Sequence, residues 1–456
     1  ITIFMRKLFI GCLVLMGLTM RAQTNVLLTE AYWKQKPSVA QVQQAIAEGN
    51  SPTAFNARAF DATSMAILNA APYETITYLI DLDGNGINKI THDKRTYLHW
   101  AAFQNNQPVM KYLIGKGADV NRRDSRQYTP ILFAAVGGQT DKELYELLLK
   151  SGANLKETNS DGANLLLMLI PHLKDLKQAD YFIKKGLKLT STDTNGNNAI
   201  YYAATMGNKS IIEALIKKKI NPKNVNKKGE NAFFAAARGF RRTANKRDFF
   251  EYLEQLGVKP NQVNSDGITP LYIVAAKNRD TEVLSYLLEK GNDPAQANNE
   301  GRTPLMNAAA LNTPEIAALL LDAANNINAR SKEGYTALQL AFENNSLPMV
   351  DLLISKGADI QMIDNEGNTL YHTAVKRGKL EFLEKLSAYP LDINKKNNEG
   401  LSPLQKAVMI ANNVEMINFL LSKGADKNAL TDLGETVYEL AKENEGLKGI
   451  NVEFLK

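Results

Sequence analysis

The chain has 456 residues, of which 44% are hydrophobic and 22% charged, with a formal charge of +6, four histidines and one cysteine. A single thiol excludes a disulfide framework, and so mild a positive excess over this length gives no reason to expect nucleic acid as a partner. Length alone suggests about three domains, unless the sequence repeats itself.

Met5 reads as the initiator, so Ile1 to Phe4 carry no weight. After it come Arg6 and Lys7, an apolar run from Leu8 to Leu18, and Thr19-Met20-Arg21-Ala22-Gln23. This is the three-part layout of a secretory signal, with cleavage expected near Ala22 or Gln23, although Met20 is larger than the residue preferred there. Residues 1–23 are therefore expected to direct export to the periplasm, with secretion as the alternative. The run is too short for a permanent membrane span. The only cysteine, Cys12, falls inside this segment, and the roughly four apolar residues ahead of it fall short of a lipoprotein signal. Losing Arg6, Lys7 and Arg21 takes the charge from +6 to +3. No second sorting module is evident after the last repeat, which favours retention in the envelope.

Residues 24–57 read as an N-terminal capping region. Ser38 to Gly49 has the pattern of an amphipathic helix with Val39, Val42, Ile46 and Ala47 on one side. Further on, Asp81-Leu82-Asp83-Gly84-Asn85-Gly86 resembles the first half of a calcium-binding loop, but its twelfth position is His92 where a bidentate Glu is needed. Ile87-Asn88 matches Val120-Asn121, so the segment is expected to be a helix terminus with one inserted residue; a calcium-responsive or enzymatic role for Asp81 to Asn88 is the alternative of a different class.

From there the chain keeps a beat. Glycines stand at 267, 301, 334, 367, 400 and 434, at spacings of 33 or 34, and backwards at 229, 196 and 162 with one widened gap of 38. Lys94 and Gln127 replace the glycine in two earlier units that keep the rest of the pattern, Arg95 to Ala102 and Tyr128 to Ala135. A glycine at a hairpin tip reaches positive φ without a Cβ penalty, Thr or Ser caps a helix, and Pro fits its first position. Small pairs such as Ala101-Ala102, Ala134-Ala135, Ala203-Ala204 and Ala308-Ala309 let helices of adjacent units approach closely. A second helix follows with apolar residues at helical spacing, as in Val350, Leu352, Leu353 and Ile354, and Gly357 ends it.

These features resemble the ankyrin repeat family, whose signature is Asp-x-x-Gly-x-Thr-Pro-Leu-His-x-Ala-Ala followed by a Gly-Ala-Asp-Val-Asn helix end. Local matches include Gly117-Ala118-Asp119-Val120-Asn121, Gly357-Ala358-Asp359-Ile360 and Gly424-Ala425-Asp426. The resemblance implies an all-α ankyrin solenoid of about twelve helix-pair units with short β-hairpin turns. The array spans residues 58–430, closed by a capping repeat and tail at 431–456, and is expected to be monomeric. The signature His survives only at His99 and His372, where it is expected to be structural; Tyr201, Phe234, Tyr272, Met306, Gln339 and Gln405 stand at the equivalent positions, and those repeats need other braces. Asn164, Asn198 and Asn231 replace the capping Thr, making the middle the most divergent part.

In this family partners dock on the concave face, built from hairpin tips and first helices. The residue after each turn glycine is expected there: Arg95, Tyr128, Ala163, Asn197, Glu230, Ile268, Arg302, Tyr335, Asn368 and Leu401. Inner-helix positions add Phe103, Gln104, Met206, Lys277, Leu311, Lys376 and Arg377. A second candidate is the widened repeat, whose loop brings Arg238, Arg241, Arg242, Lys246 and Arg247 together with Phe240, suited to an acidic partner or lipid headgroups. His92, His99, His172 and His372 are too scattered for a metal site, and no nucleophile elbow or phosphate loop is present, so neither a cofactor nor catalysis is expected. The expected role is a noncatalytic scaffold in the envelope that binds a folded protein. Resemblance to exported bacterial ankyrin proteins suggests an envelope enzyme as one such partner; the alternative is a secreted effector acting on a host protein.

Overall fold

The computed structural model describes residues 24–241, 243–323 and 326–456; the proposed leader 1–23 and Arg242 lie outside the described residues. The chain forms two compact units that divide between Glu157 and Thr158.

In the first unit, Glu30–Lys34 and Val39–Ala47 lead into the pairs Ala62–Leu68 with Tyr73–Asp81, Tyr97–Phe103 with Gln107–Gly115, and Pro130–Val136 with Lys142–Lys150. The capping helix begins on a reciprocal Ser38 and Gln41 box. Its buried positions are Val42 and Ala45, whereas Val39 and Ile46 are half-buried and Ala47 exposed, because the stripe follows the 3.6-residue period within the helix and not the run of apolar letters.

In the second unit, eight further pairs run from Leu165–Leu169 to Glu415–Ser422, followed by Val437–Glu443. With three in the first unit, eleven pairs stand among the described residues (3 + 8), one fewer than the expected number of about twelve. The pair at 165–184 is the least regular: Leu165–Leu169 passes into the 3-10 turn Ile170–His172, because Pro171 has no N–H to continue the helix. Asn164, Asn198 and Asn231 cap their helices in place of Thr, accepting from Leu167, Tyr201 and Phe233 N–H groups at 3.0, 3.0 and 2.9 Å. After Val437–Glu443 the last unit closes with two 3-10 turns that bury Leu447 and Leu455.

The expected hairpins are tips only. Asn264 N donates to Ile268 O at 2.9 Å and Gly267 N to Asn264 O at 3.0 Å, and the arms are too short for strands. Within the second unit, neighbouring tips also meet: Asn299 N donates to Asp266 O at 2.8 Å and Lys332 N to Glu300 O at 2.9 Å. Gly267 serves both needs, with φ +76 and only 3.0 Å between a hypothetical Cβ and Asn298 Cα. Lys94 and Gln127 hold the same left-handed conformation without being glycine, at φ 60 and 63.

Between tips, the small pairs do what their size allows: Ala101, Ala102, Ala308 and Ala309 are fully buried between first helices. At the other end of several first helices in the second unit, a loop side chain of the next repeat caps free carbonyls. Asn245 Nδ2 donates to Ala204 O and Ala236 O at 3.1 and 3.0 Å. Asn312 Nδ2 reaches Ala275 O and Asn278 O at 2.9 Å each, and Asn345 Nδ2 reaches Ala309 O and Asn312 O at 2.8 and 3.0 Å. These amides satisfy helix-end carbonyls that would otherwise be buried without donors. Asn312→Ala is expected to cost about 2 kcal/mol in denaturant unfolding, since it strands two buried acceptors. The control Asn344→Ala, an exposed amide bonded only within its own helix, should stay within about 0.5 kcal/mol.

Candidate protein-interaction surface

The signature histidines are braces between repeats. His99 Nδ1 lies 3.2 Å from Thr96 N and 3.0 Å from Thr96 Oγ1, while Nε2 lies 3.0 Å from Tyr128 O in the next repeat. His372 repeats this with Thr369 and Leu401 O, at 3.0 Å for the latter. The N–H of Thr96 needs an acceptor and the carbonyl needs a donor, so the neutral ring with its proton on Nε2 fits both. Burial pushes the His99 ring down to about 4, and burial also lowers His372, against the pull of the carbonyl bond. Elsewhere other side chains fill in: Gln405 Nε2 donates to Ala429 O at 3.0 Å, and Tyr272 OH accepts from Asn298 Nδ2 at 3.1 Å.

In the first unit, the expected docking residues serve the fold. Arg95 is 7% exposed; it pairs with Asp124 at 2.8 Å and Asp93 at 3.1 Å and lies over Phe133 at 4.2 Å. It turns inward because two tip carboxylates and an aromatic face await it there. Phe103 stacks on Phe133 at 5.0 Å, Tyr128 packs on the same ring at 6.3 Å, and Gln104 Nε2 donates to Leu68 O at 2.7 Å. The segment Asp81 to Asn88 is a helix end. Asp81 binds Tyr112 OH and Lys116, and Asn85 is fully buried, donating to Leu79 O at 3.0 Å and accepting from Lys89 Nζ at 2.8 Å.

In the second unit the expected face divides. Leu401 is only 8% exposed, because its backbone is held by His372 and Asn397, and Ala163 is fully buried. Arg377 likewise holds the fold together, since its guanidinium donates to Glu343 O and Asn345 O and covers Phe382 at 4.6 Å. Arg302 pairs with Glu333 at 3.1 Å and Lys376 with Glu343 at 2.6 Å. Met206, Ile268 and Tyr335 are half-buried, whereas Lys277 and Leu311 are exposed. Leu311 stands 63% open, and Ile410 and Met409, three repeats on at the same helix end, are 49% and 44% exposed.

In the widened repeat, Phe240 and Thr243 are joined by two backbone bonds of 3.1 and 2.9 Å, and its described basic residues differ in exposure and pairing. Arg238 is the last residue of Ala232–Arg238, and its guanidinium meets the Glu230 carboxylate through both nitrogens, one at 2.9 Å. Glu230 is 4% exposed and also accepts from Asn264 Nδ2 at 2.9 Å and Tyr201 OH at 3.1 Å. Burial raises its carboxyl, but the Arg238 bond and charge outweigh burial and leave it below the ordinary carboxylate range. Phe240 packs edge-on against His172 at 5.1 Å, so it is not free for a partner. Arg247 pairs with Glu251 at 2.8 Å and Glu289 at 3.4 Å; Lys246 precedes that helix and is exposed, as is Arg241.

The family described as "Ankyrin repeats (3 copies)" matches residues 63–159, 165–255, 241–331, 295–364, 324–397 and 372–451. The chain belongs to the ankyrin repeat family. Among curated relatives, the Palmitoyltransferase AKR1 of Lachancea kluyveri is 30% identical over 159 residues, 32% of this chain and 21% of that protein. The putative ankyrin repeat protein FPV223 of fowlpox virus is 28% identical over 131 residues, 28% of this chain and 89% of the viral one. A putative ankyrin repeat protein of Rickettsia bellii is 29% identical over 135 residues, covering 28% and 18% respectively. The match to the palmitoyltransferase thus spans about a fifth of its length.

Two features of this ankyrin chain escaped sequence reasoning. Ile410 keeps the phase of Leu311, 99 residues on, so counting in repeats could have found it. The Glu230 and Arg238 pair had a weaker signal, a lone carboxylate after the tip glycine and an arginine eight residues later. Both braces yield tests. His99 is depressed from 6.5 to about 4, so the unfolded chain takes the proton first and stability falls as pH drops from about 6.5 to about 4. The slope contributed is at most about 1.4 kcal/mol per pH unit. His99→Gln, the residue used at Gln405, should stay folded and flatten that limb in urea unfolding at stepped pH. Glu230→Gln should cost about 1–2 kcal/mol at neutral pH, discounted because Arg238 is partly open to solvent.

Proposed function

We propose that the second unit docks a partner protein on the face made by its hairpin tips and first helices, and that the chain is a noncatalytic scaffold. Ankyrin repeats are protein-interaction modules, and fold alone does not select a partner. The observation that carries the reading is the exposure of Leu311, Met409 and Ile410 at first-helix ends. The same position in intervening repeats holds polar Asn344 and Arg377, so packing does not require apolar residues there. Exposed aliphatic side chains ringed by polar ones are the usual core of a protein interface. His99 and His372 are occupied as braces, which supports a role without catalysis. The leader-like segment Met5 to Gln23 supports export and a place in the envelope.

The test uses the chain from residue 24 onward as bait in an envelope extract, beside Leu311→Glu/Ile410→Glu and Tyr335→Ala variants with unchanged melting temperatures. Leu401 is buried and is not a useful probe. A specific partner is expected to be held by the parent and weakened at least about tenfold by the double variant. Equal retention by parent and double variant would show that this face does not dock it.

A further inference from the structure

We infer that the recess between Tyr335, Glu366 and Ile410 in the second unit holds an arginine of the partner protein, with an aliphatic neighbour of that arginine resting on Ile410. The inference rests on the docking reading above and adds the chemistry of the segment that docks. The recess encloses about 210 Å³ and joins hairpin tips to first-helix ends in one concavity. Tyr335, Asp364 and Glu366 come from the tips, and Glu343, Lys376 and Ile410 from the helices Ala337–Asn344, Leu370–Arg377 and Pro403–Ile410. Ile410 is exposed and Tyr335 half-buried, and the Tyr335 hydroxyl has no hydrogen-bond partner among the described residues.

Charge decides the occupant. Three carboxylates and two ammonium groups line the recess, and both ammonium groups are already paired: Lys376 Nζ lies 2.6 Å from Glu343, and Lys406 Nζ 2.7 Å from Glu399, which stands outside the lining. Asp364 is 4% exposed and accepts from neutral donors, Glu366 N and Asn368 N at 2.9 and 2.8 Å and Asn368 Nδ2 at 2.9 Å. Glu366 is exposed; it accepts from Asn368 Nδ2 at 3.1 Å, and Lys376 acts on it only through space. His372 also lines the recess, but burial keeps its ring neutral and its Nε2 is spent on Leu401 O. Asp364 and Glu366 therefore have no cation in ion-pair contact among the described residues. The tips extend the same field: the residue before the turn glycine is acidic at five consecutive tips, Asp266, Glu300, Glu333, Glu366 and Glu399, in a chain whose formal charge is +6. Lys228, Arg302 and Lys406 answer Asp266, Glu333 and Glu399, which leaves Glu300 and Glu366 to attract a basic partner and repel an acidic one. Arginine fits better than lysine, because a flat guanidinium can lie against the Tyr335 ring while its N–H fork meets the Glu366 carboxylate.

The experiment measures fluorescence anisotropy of a labelled hexapeptide alternating Arg and Leu with the full chain, at low salt and at about 0.15 M salt, beside hexapeptides alternating Lys and Leu or Glu and Leu. The Arg peptide is expected to bind about threefold or more tighter than the Lys peptide, to weaken with salt, and to lose about fivefold or more in Glu366→Gln at unchanged melting temperature, while the Glu peptide does not bind. Tyr335→Leu should narrow the gap between the Arg and Lys peptides, which a general loss of attraction would leave in place. The inference is overturned if Glu366→Gln binds the Arg peptide like the parent, if the Lys peptide binds as tightly as the Arg peptide, or if equimolar calcium displaces the peptide and marks the carboxylates as a metal site. Leu311 lies outside the recess, so Leu311→Glu should keep peptide binding. A partner lost by Leu311→Glu/Ile410→Glu but held equally by the parent and Glu366→Gln would sink the arginine site and leave the docking face standing.

Discussion

One residue at each hairpin tip adopts the left-handed conformation, and the spacing of the repeats depends on it. That turn aims the preceding carbonyl at the next tip, as Asp266 O meets Asn299 N at 2.8 Å. With the tips joined at hydrogen-bond distance, first helices are forced close, which only small residues such as Ala308 and Ala309 tolerate. The helix ends are then buried against the following loop, and their carbonyls must be met by Asn312 and its equivalents. The brace from His99 to Tyr128 O, and its Gln and Tyr substitutes, closes the same junction from the other side. Positive φ at Lys94 and Gln127 shows that the geometry, not the glycine, is obligatory.

Much of this was legible because it is local. Caps, tip glycines and the second-helix stripe are decided within a few residues, so Thr303-Pro304 and Gly357 could be read directly. Side-chain direction is not local. Arg95 and Leu401 occupy the same repeat position as Tyr335, yet they are buried, one by an ion pair with Asp124 and the other by the bonds holding its backbone to its neighbours. Phe240 is covered by His172, which lies 68 residues earlier in the chain. The candidate surface was therefore half visible: Lys277 and Leu311 were found by position, whereas Ile410 and the Glu230 network needed the fold.

The widened repeat shows how this fold takes an insertion without losing its beat. Its extra residues sit between the two helices, away from the tip that sets the spacing, and Asn245 still delivers the amide that the junction requires.

The amide ladder has an evolutionary corollary. In each rung the donor is a coded side chain, but the acceptor is a main-chain carbonyl, which every sequence supplies. A duplicated or recombined repeat therefore finds its counterpart ready whatever residues its neighbour carries, and needs to bring only its own asparagine or a substitute such as Arg377. Coupling of this one-sided kind removes the need for paired compensating changes, leaving the outward positions of each unit free to diverge while the junctions stay intact.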